Sequence, residues 1–356
     1  MRNFRAGWVL VGAILAFAPV GARAATEVYA AATPVPDQSA DARSQAFARD
    51  LAAVFVKVSG NLQVTQVAGL AATLAQADKL VLEYRYRQAS AGGGLELWAH
   101  FDQKAVNAAL AAAGQPVWGG NRPTVIVWLL TPAGIVGDDP ANPVAAALHK
   151  AAAERGVPLI LPLLDLADQQ QVSAFDIRSF FLSALKTASQ RYGTQTMLVG
   201  SVTAAADRSF TSQWQLTLGQ TTTPFASTGA SPQAAAAAGV EQAATLLAQE
   251  FAYLPTSAAA GDLLLKVDGI ANFETEVAVR RIVAGVQGVK NLRLARIAGA
   301  RVAWRVSYAG TAEDFARRLA LAGGLTRLAM SPAVPASVMA PAAATRLPEL
   351  DFRYTP

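Results

Sequence analysis

The chain of 356 residues contains no cysteine. A disulfide, a thiolate metal site, a cysteine nucleophile and a lipidated N-terminal cysteine are all excluded, so stability must come from buried apolar surface. Histidine is scarce too. His100 and His149 stand alone in separate segments with no H-E-x-x-H or similar ligand spacing, and both read as surface or boundary side chains. Charged residues make up only 15% of the chain. There is no P-loop, no G-x-S-x-G, no dinucleotide fingerprint and no EF-hand pattern, and Gly92-Gly93-Gly94 precedes a strand pattern rather than a helix, so it cradles no phosphate. Neither a cofactor nor a bound metal is expected.

What is present begins with a leader. Arg2 and Arg5 form a basic head, Gly7 to Phe17 an apolar core too short to span a bilayer, and Ala22-Arg23-Ala24 a small-residue cleavage site. Residues 1–24 are therefore expected to be a signal peptide, giving a periplasmic protein that is not a lipoprotein and has no transmembrane span after cleavage. Of 30 basic and 25 acidic residues, three arginines and no acid lie in the leader, which leaves a net charge of +2. The remaining charge is uneven, with 11 basic and 6 acidic side chains between residues 261 and 330. An exported chain is not expected to meet nucleic acid, and an anionic partner would meet the C-terminal part first.

Periodicity divides the rest into three small domains of α+β and α/β class: two β-α-β-β-α-like units, at 25–116 and 261–328, flank a central mixed-sheet α/β domain at 117–255. In the first unit a strand at 27–33 leads to a helix capped by Ser39, with Phe47, Leu51, Val54, Phe55 and Val58 as its stripe and Gly60 as its stop. A shorter helix follows through Leu70. Two alternating runs, Leu80/Leu82/Tyr84/Tyr86 and Leu95/Leu97/Ala99/Phe101, predict a hairpin with one buried face, and Asp102 caps a helix carrying Val106 and Leu110.

The central domain opens on a turn, Trp118-Gly119-Gly120-Asn121-Arg122-Pro123, read as a structural hinge with an aromatic anchor. Val125 to Leu130 is unbroken apolar sequence, the mark of a strand covered on both faces. Asn142-Pro143 starts a helix that Gly156 ends; Val157 to Leu164 reads as an edge strand because of Pro158 and Pro162. One long helix is expected from Ser173 to Tyr192 through Ile177, Phe180, Phe181, Leu185 and Ala188, then strands at 196–203 and 210–218, and a helix from Ser231-Pro232 to Phe251.

After a linker at 256–260, Leu263/Leu265/Val267, Leu292/Leu294 and Val302/Trp304/Val306/Tyr308 are the inward faces of three strands, with helices capped by Asn272 and Thr311. LELWAHFDQKAVNAALAAAG and RVAWRVSYAGTAEDFARRLALAGG end the two outer units alike, which points to an internal duplication. Residues 329–356 are a Pro/Ala-rich tail expected to be loosely held.

The phrases Val35-Pro36-Asp37-Gln38-Ser39, Val56-Lys57-Val58-Ser59-Gly60-Asn61, Phe101-Asp102 and Trp118 to Pro123 followed by Trp128-Leu129 resemble those of a family of uncharacterised secreted bacterial proteins, a domain of unknown function. That resemblance spans most of the chain and carries no catalytic or binding residue with it. The middle domain, where Arg191-Tyr192-Gly193 runs into Met197 to Val202, is also similar to α/β modules of periplasmic Tol-system and curli-secretion proteins, a likeness of fold alone.

Lys266, Arg293, Arg301 and Arg305 fall on strand positions opposite the apolar set and would line the open face of a three-stranded sheet, a candidate partner-binding surface. Asp165, Asp168 and Asp176 could gather a hard cation near the ends of parallel strands, although loop solvation and capping account for them more cheaply, and spacing identifies no pair of acids for a hydrolase. The expected function is a non-catalytic envelope binding or scaffold protein whose partner is an envelope protein or an anionic envelope polymer. The alternatives are a carboxylate-dependent hydrolase and a small-ligand receptor with its site between the domains near Trp118. Oligomeric state has no signature in the sequence.

Overall fold

The computed structural model describes residues 28–89, 93–119, 122–254, 261–286, 288–322, 324–328 and 347–355. The leader, Gly120 and Asn121 of the turn, the linker at 256–260 and residues 329–346 of the tail lie outside the described residues.

The first unit comprises β1 (Ala30–Pro34), α1 (Ala40–Ser59), α2 (Ala68–Leu74), β2 (Val81–Gln88), β3 (Leu95–Phe101) and α3 (Gln103–Ala112). The strands form an antiparallel sheet in the order β1-β3-β2. Ser39 starts α1 by accepting from the Ala42 N–H, and the whole expected stripe, Phe47 to Val58, is buried against Leu97, Ala99 and Phe101. The hairpin departs from expectation. Leu82 and Tyr84 are 63% and 46% exposed, because β2 is the sheet edge and a register shift between Val81 and Glu83 disturbs the alternation at Leu82.

The central unit runs β4 (Val125–Thr131), β5 (Gly134–Val136), α4 (Pro143–Arg155), β6 (Leu159–Ile160), α5 (Leu166–Gln171), α6 (Ala174–Arg178), α7 (Leu182–Ser189), β7 (Thr196–Ala204), β8 (Phe210–Leu218), β9 (Thr221–Gly229) and α8 (Pro232–Phe251). Its sheet order is β5-β4-β7-β8-β9, with β6 also beside β4; β6 and β7 are parallel to β4, and β8 and β9 extend the sheet antiparallel. Every residue of β4 is buried. Val125, Val127 and Leu129 pack in the core formed by α4 and α8, while Ile126, Trp128 and Leu130 pack with Val172, Ile177 and Leu185 from the layer of α5 to α7.

Three expectations are corrected here. The run from Val157 to Leu164 pairs only at Leu159–Ile160. The long helix from Ser173 is two: α6 ends on a Schellman pair, Phe180 N–H to the Ile177 carbonyl and Phe181 N–H to the Asp176 carbonyl, with Phe180 itself at φ 54°. Phe occupies the left-handed position where glycine is usual, so no punctuation marked the break, and Phe181 is left 55% exposed. The third strand of the antiparallel extension, β9, was hidden by its threonines and Pro224, which suit a sheet edge.

The C-terminal unit contains β10 (Gly261–Asp268), α9 (Phe273–Gly285), β11 (Val289–Ala298), β12 (Arg301–Tyr308), α10 (Ala312–Leu321), β13 (Leu325–Arg327) and β14 (Glu349–Tyr354), in the sheet order β11-β12-β10-β14-β13. Its first three strands lie as β10-β12-β11, the same path as β1-β3-β2, and α10 follows β12 as α3 follows β3. The sheet has five strands rather than three. Within the expected loose tail, Leu350 and Phe352 are 5% and 0% exposed in β14, which lies parallel to β10. Leu294 lies on the inward face opposite Trp304, as expected, but is 55% exposed, since β11 is the outer strand.

Deleting residues 347–356 should therefore destabilise this unit by roughly 3–6 kcal/mol, the value of burying one Leu and one Phe. Denaturant unfolding of the truncated chain, followed through the Trp304 environment, checks it; an unchanged transition would show that β14 is dispensable.

Candidate functional site

The turn after α3 is the structural centre of the molecule. Arg122 is 8% exposed and uses all five of its N–H groups on main-chain carbonyls. Nε donates to Gly119 at 3.0 Å, Nη1 to Arg155 at 2.8 Å and Gly156 at 3.0 Å, and Nη2 to Lys57 and Trp118, both at 2.6 Å. Lys57 lies in the last turn of α1, and Arg155 and Gly156 end α4, so the negative ends of two helices from two units converge on one cation. The guanidinium also sits 3.9 Å from the Trp118 ring centroid. Burial pulls the Arg122 pKa down, to about 9, which leaves it charged at neutral pH.

Trp118 is 1% exposed, stacks on Phe251 of α8 and donates its backbone N–H to the Val58 carbonyl at 2.6 Å. Gly60, which ends α1 at φ 71°, lets α8 pass: a Cβ there would stand 2.1 Å from that of Ala248. The phrases Val56 to Asn61 and Trp118 to Pro123, widely separated in sequence, thus meet as two halves of one joint. Sequence reading named both without showing that they touch.

Arginine is used the same way twice more. Arg155 Nη2 donates to the Gly60 carbonyl at 2.7 Å, and Arg318 of α10 donates to the Phe251 and Ala252 carbonyls that end α8. Asp314 holds Arg318 at 3.0 Å and accepts from Tyr308 at 2.6 Å. A cleft of about 940 Å³ lies beside these contacts, lined from all three units by residues including Gly60, Ala248, Thr311 and Arg317. Its volume suits a small ligand. Its acid is committed, however, because Asp314 receives Arg318, Arg317 and Tyr308.

The sequence-predicted basic face is more divided than expected. Arg301 is bound by Asp268, with Nη2 2.6 Å from Oδ2, and Lys266 pairs with Glu349 of β14. Arg293 and Arg305 are direct cross-strand partners on β11 and β12, both exposed, and among the described residues neither has an ion-pair partner. Arg296, opposite Ala303, joins them. Like charges directly opposite one another destabilise a strand pair, so this site carries electrostatic strain that an anion would relieve.

The carboxylates considered for a cation are engaged elsewhere. Arg191 grips Asp165 at 2.6 and 2.7 Å and Asp168 at 3.0 Å, and its hydrogen bonds hold Asp165 well below the usual carboxylate range. Asp168 is buried and also accepts from Tyr192 at 2.6 Å and the Leu164 N–H at 2.9 Å. Asp176 completes a capping box with Ser173, whose hydrogen bonds lower its pKa. No group of acids and histidines with metal-ligand geometry occurs among the described residues. His149 faces Asp138 at 2.9 Å on the surface, and His100 stacks on Trp98.

One acid escaped notice in the sequence. Asp50, on the stripe side of α1, is fully buried, accepts from Thr33 Oγ1 at 2.6 Å and leaves Oδ2 without a partner. Burial pushes its pKa up to about 7, with the Thr33 hydrogen bond and the Lys57 charge pulling the other way. No substrate can reach it, so its effect is on stability.

Residues 22–119 match a family model described as a domain of unknown function (DUF8605). The match covers the first unit and one side of the joint, a shorter span than the phrases implied. No curated protein matches the chain. Among solved structures, a formyltetrahydrofolate deformylase from Pseudomonas putida KT2440 is similar at 10% identity with a TM-score of 0.16, over 54% of this chain and 90% of that chain, a likeness that carries no argument.

Two outcomes follow from this geometry. Arg122→Lys should lose about 3–5 kcal/mol of stability, close to Arg122→Met, because a single ammonium cannot serve carbonyls arranged for a fork. Trp118→Ala should cost a similar amount, about 3–5 kcal/mol. Equilibrium unfolding checks all three, and a lysine variant as stable as the parent would refute the joint. Asp50 binds its proton more tightly folded than unfolded, so its contribution is complete below about pH 4 and is lost as pH rises through about 7, at up to about 1.4 kcal/mol per pH unit. The thermal midpoint should fall across that window for the parent, and Asp50→Asn should remove that part of the fall; parallel profiles would refute it.

Proposed function

We propose that the protein is an exported, non-catalytic binding protein of the cell envelope that docks an acidic protein on the β11–β12 part of its C-terminal sheet. The observation that carries this reading is the Arg293–Arg305 pair, two exposed guanidinium groups held opposite one another without a carboxylate, with Arg296 beside them. Asp268 and Glu349 neutralise Arg301 and Lys266, which confines the positive field to the outer two strands. A patch of that size suits a few carboxylates on a folded or extended polypeptide better than a long polyanion, which needs a continuous basic track. The leader pattern at residues 1–24 supports export, and the capped or ion-paired state of Asp165, Asp168 and Asp176 supports binding over hydrolysis.

Arg293→Glu with Arg305→Glu should leave the thermal midpoint nearly unchanged, within about 0.5 kcal/mol, since both side chains are exposed. The parent should retain acidic envelope proteins in a pull-down at 0.1 M salt and release them at 1 M, where the Debye length has shrunk from about 10 Å to about 3 Å. The double variant should retain none at either salt. Equal retention by both proteins would overturn the reading, and co-sedimentation with a purified anionic envelope polymer in place of protein capture would transfer the site to that polymer.

A further inference from the structure

We propose that β11 accepts an extended acidic segment of the partner as an added strand; this rests on the docking role proposed for Arg293 and Arg305 and names its mode. β11 is the outermost strand of its sheet. It pairs with β12 along one edge, and no described strand pairs with the other. Over the 10 residues Val289–Ala298 it therefore offers backbone N–H and C=O groups at strand spacing.

The two sides of this edge differ in chemistry. On the side of the helices, Leu294 and Ile297 are 55% and 60% exposed, and Phe273, at the start of the helix that packs on β11, is 78% exposed. On the open side stand Arg293 and Arg296, backed by Arg305. A strand laid along β11 would set alternate side chains against apolar groups and against guanidinium groups. The segment that fits alternates apolar and acidic residues.

A second copy of β11 is a poor occupant. Antiparallel self-pairing would crowd Arg293 and Arg296 of both chains on one face with no acid between them. Register shifts at Val289/Asn291 and Leu294/Arg296 also break the edge into two short regular tracts, Asn291–Leu294 and Arg296–Ala298, a common guard against indiscriminate edge pairing. Charge thus rejects the copy and favours a strand of opposite sign.

The test uses the full chain and a fluorescein-labelled peptide of alternating glutamate and valine, about eight residues long, measured by fluorescence anisotropy at low salt. Two further peptides carry backbone N-methyl groups on the glutamates only or on the valines only. An added strand directs every second N–H to the receiving edge, so one methylated peptide should bind at least about tenfold more weakly and the other should bind like the parent. Arg293→Glu with Arg296→Glu, its fold confirmed by circular dichroism, should weaken the unmethylated peptide at least about tenfold. Equal binding by the two methylated peptides would overturn strand addition while leaving acidic docking intact. Peptide binding that survives the arginine substitutions would overturn the site. Failure of both the alternating peptide and polyglutamate to bind at all would overturn this inference and the docking role together.

Discussion

One guanidinium holds the first two units in register. The last carbonyls of an α-helix have no partner within it, and at a buried helix end they must find donors elsewhere. Here α1 and α4 end against the same point, and Arg122 supplies donors to both while its charge opposes both helix dipoles. Packing alone would tolerate many relative orientations of these units. Five directional bonds from a planar group with fixed donor geometry tolerate few. Arg155 and Arg318 repeat the device at the ends of α1 and α8, each a side chain of one unit reaching main chain of the next.

That choice explains what was legible in the sequence. Local chemistry read well: the caps at Ser39, Asp102, Asn142, Asn272 and Thr311, the stops at Gly60 and Gly156, and the doubly covered strand at Val125 all stand as their residues indicate. Features whose cause is nonlocal did not. Phe180 adopts a glycine-like conformation while its ring packs in the layer over β4, and no neighbour in sequence announces that. Leu82, Tyr84 and Leu294 alternate like buried residues but sit on edge strands, and edge position is a property of the sheet, not of the strand.

The candidate site was legible in part for the same reason. Strand alternation was enough to place Lys266, Arg293, Arg301 and Arg305 on one face. It could not show which of them had acids beside them, because the acid opposing Lys266 arrives on β14, from a stretch whose Pro/Ala-rich approach resembles a tail. Asp50 was missed although it falls on the buried stripe of α1, three residues after Phe47 and four before Val54, because the partner that accounts for an acid there, Thr33, is on β1.

The placement of β14 also sets an order of events for the C-terminal unit. β10 lies between β12 and β14, and its partners on the β14 side come from residues 349–353, far downstream of Leu264 to Asp268. Closure of a connection that long is entropically slow and favours late completion. Until it happens, β10 is itself an open edge, and Lys266 lacks the carboxylate of Glu349. With β14 unpaired the unit is both stickier and more basic than the finished one, and the pairing of its last strand removes both properties at once.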